Sequence, residues 1–164
     1  LAADIIPWFS PCRTMTKRIE VAAGLVFRAG KLLITQRALE SHCGGLWEFP
    51  GGKREPGESF EQCLRRELLE ELDMDVRVGN QIDCVVHEYP EKCVELHFYR
   101  CEWLAKEPRL IECRDLAWVL PDQLSQYTFP AADACLVTQL SRMPELWDST
   151  GQEPVHCPQS PKSQ

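Results

Sequence analysis

The sequence predicts an α+β domain from three features: β-rich runs that sit next to one another as hairpins, an apolar/polar alternation that needs a sheet with two different faces, and two helical stretches. From Ile19 the pattern is regular. IEVAAGLVF and KLLITQ are β-rich and separated by Arg28-Ala29-Gly30, which reads as a hairpin turn. LWEF, from Leu46 to Phe49, is a short third strand. A helix follows from Phe60. Two strands are then expected, near Val76 to Val78 and from Gln81 to Glu88. In VELHFYRCEW, Val94, Leu96 and Phe98 alternate with Glu95, His97 and Tyr99, the signature of a half-buried strand. LAWV, from Leu116 to Val119, is the last strand. A second helix is expected from Ala131 to Arg142, with Leu136, Val137, Leu140 and Met143 at helical spacing.

The 164 residues fit one domain with a real core, and 44% apolar content argues against disorder. Eighteen Lys and Arg against 25 Asp and Glu leave a net charge of −7. Such a chain has no general basic field for a nucleic acid polymer or an anionic membrane, so a polyphosphate ligand must be held locally. Nothing implies an obligatory protein partner. The nine cysteines are odd in number and include no Cys-x2-Cys pair, so neither a zinc knuckle nor a disulfide framework is indicated. They read as reduced thiols of a cytoplasmic protein. LAADIIPWFSPCRT lacks a basic start and is interrupted by Pro7, a poor signal peptide. The expected organisation is an N-terminal extension over 1–16, one domain over 17–146, and a Pro/Ser/Gln-rich disordered tail over 147–164.

The first helix carries the chemistry. Ser59 and Gln62 form an S-x-x-Q capping box, and Phe60, Cys63, Leu64, Leu68 and Leu72 form its apolar stripe. Glu67 and Glu71 fall on that stripe and Glu70 on its edge, so these carboxylates point inward or into a cleft. Like charges at i+3 and i+4 repel, and acids in the last turns oppose the helix dipole. Protonation, an arginine partner or a bound hard divalent cation would relieve the repulsion. The preceding Gly51-Gly52 and Pro56-Gly57 make a tight turn where backbone can approach a ligand.

Gly52, Glu58, Arg66-Glu67, Leu68 and Glu70-Glu71, at their spacings here, resemble the Nudix hydrolase box, G-x5-E-x7-R-E-U-x-E-E-x-G-U, with U a large apolar residue. Asp73 departs, standing where the family has Gly; Asp tolerates the left-handed conformation of a helix cap, so a small loss of stability is expected. The resemblance implies the Nudix fold, a mixed curved β-sheet sandwiched between α-helices, and hydrolysis of a nucleoside diphosphate linked to another group, with Mg2+ or Mn2+. It also implies roles. Glu67 and Glu71 become metal ligands helped by the Gly51 carbonyl, with Glu58 and Glu70 holding further ions or their waters. Glu67 becomes the base that deprotonates water, with Glu112 a second candidate, and Arg66 orients the carboxylates.

Beyond the box, residues from Lys17 to Arg142 resemble the MutT branch. Arg37, His42, Glu48, Phe49, Pro50 and Gly51 match substrate-contacting positions, and FPAAD places Asp133 in a base-reading segment. The expected substrate is therefore a nucleoside triphosphate, split to monophosphate and pyrophosphate. An ionised Asp133 only accepts hydrogen bonds. It would welcome the N7–H of 8-oxoguanine, but it would equally accept from the cytosine amino group, and a related CTP pyrophosphohydrolase branch also shows Asp here. Both substrates stay open, 8-oxo-dGTP first. A non-catalytic Nudix module that senses nucleotides is a third reading; such domains commonly lose box carboxylates, and this chain keeps them.

Overall fold

The structure, a computed structural model, describes residues 18–147; the expected extension over 1–16 and the tail from Asp148 lie outside them. The strands are β1 (Arg18–Arg28), β2 (Lys31–Gln36), β3 (Trp47–Glu48), β4 (Gly51–Lys53), β5 (Asp75–Glu88), β6 (Cys93–Ala105) and β7 (Asp115–Val119). The helices are α1 (Phe60–Leu72), α2 (Ala134–Leu140) and the short α3 (Pro144–Trp147), with a 3-10 turn at Leu124–Gln126. One mixed sheet runs β3-β2-β1-β6-β5, with β4 beside β1 and β7 beside β2. β1 and β6 are parallel, pairing Arg18 with Cys93 through Phe27 with Glu102, and the other pairs are antiparallel.

Strand alternation divides the core between the two sheet faces. Ala23, Leu25 and Phe27 of β1, with Leu96 and Phe98 of β6, meet Leu136 and Leu140 of α2 and Trp147 of α3. Ala22 and Val26 meet Cys63, Leu64, Leu68 and Leu72 of α1 on the other face. Helices thus cover both faces, as expected. Burying each of these aliphatic side chains contributes about 1.5–3 kcal/mol.

Four features differ from the sequence reading. Gly51-Gly52, expected in a tight turn, lies in β4 and pairs with Ala23 and Ala22 of β1; the turn is confined to the Pro56-Gly57 stretch. The two strands expected between Val76 and Glu88 are one strand, whose pairing with β6 shifts register between Val78 and Gln81 and again between Gln81 and Asp83. Gly79 and Asn80 read as a break because bulges carry turn-like residues inside continuous strands. The second helix begins at Ala134, because Asp133 and Ala134 close tight turns onto Pro130 and Ala131 instead of joining an α-helical ladder. Trp147, assigned to the tail, is buried; its indole N–H donates to the Leu140 carbonyl at 2.8 Å and its ring meets Phe27 edge-on.

Candidate functional site

The capping box forms as expected. Ser59 Oγ accepts from the Gln62 N–H at 3.1 Å, and Gln62 Oε1 accepts from the Ser59 N–H at 2.8 Å. At the far end Asp73 is left-handed (φ 52°, ψ 37°), and its N–H reaches the Leu68 and Leu69 carbonyls. The carboxylate that replaces a glycine hydrogen here has partners: Lys106 at 3.3 Å and Arg109 at 3.5 Å. That segment also caps the helix, since the Arg109 and Ile111 N–H groups donate to the Leu72 and Glu71 carbonyls at 2.8 and 3.2 Å. Orphan carbonyls of the last turn are thereby satisfied. The same contacts bring the exposed Glu112 within electrostatic reach of Glu71.

Arg66 gathers the carboxylates beside Gly51-Gly52 of β4 and the Pro56-Gly57 turn that follows. Its Nε and Nη2 donate to the two oxygens of Glu58 at 2.8 and 2.9 Å, and Nη1 donates to Glu67 at 2.8 Å and Glu70 at 3.3 Å. Nη2 also reaches the Lys53 carbonyl at 3.2 Å. The fork holds Glu58 well below the usual carboxylate range, at about 2. Glu67 then lies across Gly52, where a Cβ would stand 2.2–2.5 Å from its carboxylate atoms. A side chain at this position would push the Glu67 carboxylate aside. Gly51 has φ +149°, and a Cβ there would meet the Ala22 carbonyl oxygen at 2.1 Å.

Arg54, which the sequence reading passed over, ties this turn to the sheet. Its guanidinium pairs with Glu20 on β1 and donates to the Glu58 carbonyl at 2.7 Å.

A second group of acids lies on the buried side. Burial pushes Glu71 up to about 8, helped by the negative charges of Glu48, Glu67 and Glu112; a backbone hydrogen bond with Gly51 works the other way. Asp133, 5% exposed, is pushed up to about 7 by burial and then by Glu48, with Arg37 opposing. Burial raises Glu48 also, again against Arg37, with which it forms a salt bridge. Arg37 Nε donates to the His42 carbonyl at 2.7 Å, so Arg37 fixes both the loop and Glu48. His42 is exposed, with its ring edge-on to Tyr89 at 5.2 Å.

Phe49 and Pro50 are buried. The Pro50 carbonyl accepts from the Gly24 N–H at 2.8 Å. Phe49 stacks on Phe129 at 5.3 Å, and the Trp47 N–H donates to the Thr128 carbonyl at 2.9 Å. These contacts dock the segment before Asp133 against β3. The structure therefore brings Arg37, Glu48 and Asp133 together, with Glu71 linked to them through Glu48. Tyr89 was missed by sequence reasoning. Its signal was faint: an aromatic in the turn between two strands, followed by Pro90.

The donor set suits a hard divalent cation. Glu58, Glu67, Glu70, Glu71 and the Gly51 carbonyl offer only oxygen, and the unrelieved repulsion on Glu71 is what a dication would cancel.

Over residues 22–139 the chain matches the NUDIX domain family, and it belongs to that family. It is a hydrolase of the MutT-like kind, and enzymes of this family use a divalent metal. A CTP pyrophosphohydrolase of Escherichia coli K12 is 38% identical over 121 residues, 74% of this chain and 90% of that protein. An 8-oxo-dGTP diphosphatase of Proteus vulgaris is 44% identical over 89 residues, 53% of this chain and 80% of that protein. Among solved structures, the E. coli ORF135 protein superposes with a TM-score of 0.69 at 34% identity, covering 80% of this chain and 94% of that one. A MutT protein from Methanosarcina mazei Go1 gives 0.72 at 25%, covering 79% and 97%. Among the described residues no helix is long and apolar enough to cross a membrane.

Proposed function

We propose that this protein hydrolyses a (deoxy)nucleoside triphosphate, 8-oxo-dGTP first, to the monophosphate and pyrophosphate with Mg2+, and so cleanses the nucleotide pool of a mutagenic precursor. The carrying observation is the gathering of Glu58, Glu67 and Glu70 around Arg66 beside Gly51-Gly52, with Glu71 near enough to Glu67 to feel its charge. Those four acids and the Gly51 carbonyl would hold the cation. When bound, Mg2+ or Mn2+ screens the phosphate charges and makes water more acidic. Glu67 accepts the proton of the attacking water while Arg66 keeps its carboxylate aimed; Glu112 is the alternative base. The water oxygen bonds to one of the two phosphorus atoms flanking the α–β bridging oxygen as that P–O bond breaks, giving the monophosphate and pyrophosphate.

On the nucleoside side, Asp133 reads the base, and Arg37, His42 and Glu48 contact the substrate. Phe49 and Pro50 hold the pocket from behind. A carboxylate accepts from the N7–H that oxidation at C8 creates, and repels the N7 acceptor of ordinary guanine. The second reading, CTP or a modified dCTP, is favoured by the same Asp133 and by the CTP pyrophosphohydrolase relative.

Purified triphosphates assayed with Mg2+, with products identified, decide between them. Higher catalytic efficiency on dCTP than on 8-oxo-dGTP reverses the choice of base. Saturable nucleotide binding with no metal-dependent product, in wild type as in Glu67→Gln, makes the protein a sensor.

A further inference from the structure

Away from the glutamates, the strand pairing assembles a different kind of donor set. Cys84 on β5 stands opposite His97 on β6, and Glu95 precedes His97 by two residues, on the same face at the strand period. Cys84 Sγ lies 3.8 Å from His97 Nε2 and 3.9 Å from Glu95 Oε1, and Glu95 Oε1 lies 3.2 Å from His97 Nε2. Donors around a tetrahedral zinc ion, with bonds of about 2.0–2.3 Å, stand about 3.3–3.6 Å apart. The three atoms are within a few tenths of an ångström of that triangle.

The surroundings orient the donors. Arg18 donates to Glu95 Oε2 at 3.2 Å, which leaves Oε1 turned toward Cys84 and His97. Outer partners of this kind fix ligand geometry in metal sites. The His97 ring lies against Phe60 at 4.1 Å, and its buried Nδ1 has no partner among the described residues, so Nε2 is the nitrogen that faces the other two donors. Cys84 is exposed, so an ion has a way in and a place for water as fourth ligand.

We propose that Cys84, Glu95 and His97 form a second cation site that takes zinc or a similar borderline transition ion and shares no residue with the glutamate cluster. Thiolate and imidazole select such ions over Mg2+, which prefers oxygen alone. Binding exchanges the Cys84 S–H bond for a sulfur–metal bond and releases the proton to solvent. The two sites are thus sorted by chemistry, oxygen donors beside α1 and a mixed S/N/O set on the β5–β6 pair.

The test titrates the full, reduced chain with Co2+, whose thiolate complexes absorb in the near ultraviolet, and then displaces it with Zn2+. One equivalent should give the thiolate band. Cys84→Ser should abolish it, His97→Gln should weaken binding at least tenfold, and Glu67→Gln should leave it intact. Because Cys84 is exposed, its serine variant keeps the fold and decides the matter even if the buried His97 variant does not. No band in the wild type, or a band that survives in Cys84→Ser, overturns the proposal: the three side chains are then a hydrogen-bonded cluster only. Neither outcome bears on hydrolysis, which the Glu67→Gln assay reads separately.

Discussion

The acids gathered around Arg66 and the group of Glu48, Glu71 and Asp133 are both dense, but they are neutralised differently. Glu58, Glu67 and Glu70 share one guanidinium and are aligned before any ligand arrives. Glu48 and Glu71 are partly buried and Asp133 is buried, Arg37 is the one cation that opposes the shifts of Glu48 and Asp133 among the described residues, and all three acids are pushed upward. The first group is preorganised for proton transfer and orientation. The second stays electrostatically unsatisfied, and a cation or a hydrogen-bond donor on the base satisfies it. Under the proposed function the Arg66 group would serve hydrolysis and Glu48 with Asp133 would serve selectivity, with Glu71 between them as a metal ligand.

The largest expected effect breaks the first group. Glu67→Gln should lower kcat about 10³-fold with KM little changed, the usual loss when a general base is removed. Pyrophosphate release with 8-oxo-dGTP checks it. Chelation of divalent metal should abolish turnover in the wild type, and restored Mg2+ should recover it.

Next, a pair of variants contrasts the groups in metal-free protein. Arg66→Met strands three carboxylates and should lower stability by about 1–2 kcal/mol, less than for a fully buried pair because the guanidinium is a quarter exposed. Glu71, raised to about 8, must take up a proton on folding at neutral pH; Glu71→Gln removes that cost and should raise the melting temperature while cutting activity. Thermal melts with and without Mg2+ read both; a fall in both variants would mean the two groups are alike.

A smaller effect sharpens the second group. Asp133 is raised from its ordinary range to about 7, so the folded state binds the extra proton and stability falls as pH rises between about 4 and 7. Discrimination of 8-oxo-dGTP against dGTP should rise as pH passes upward through 7, as Asp133 loses its donor proton. Asp133→Asn should flatten both dependences. A pH series of kcat/KM for the two nucleotides is the measurement.

The smallest effect concerns the helix cap. Asp73→Gly relieves the left-handed strain of a non-glycine residue but releases Lys106 and Arg109, and these offset to within about 1 kcal/mol. Asp73→Ala keeps the strain and loses the partners, so it should be the less stable of the two by melting.

Most of the first group was legible in the chain. Capping box, apolar stripe and the facing of Glu67 and Glu71 follow from helical geometry, which makes neighbours of residues three and four apart whatever surrounds them. Asp73 as a left-handed cap was equally readable, whereas its cationic partners lie 33 and 36 residues further along, in a loop with no pattern of its own. The burial of Asp133 was not readable, because the turn that precedes α2 and the docking of Thr128 on β3 decide it.

What the sequence determined by itself is the family, the glutamate helix and the alternation that makes a two-faced sheet, all of which are short-range patterns of residue type. What only the tertiary structure decided is the company those residues keep: Glu48 with Asp133, Tyr89 with His42, and Cys84 opposite Glu95 and His97. The last depends on the register shifts between Val78 and Asp83. A strand moved by one residue turns every side chain to the other face, and that register is fixed by which faces are buried, not by any local spacing.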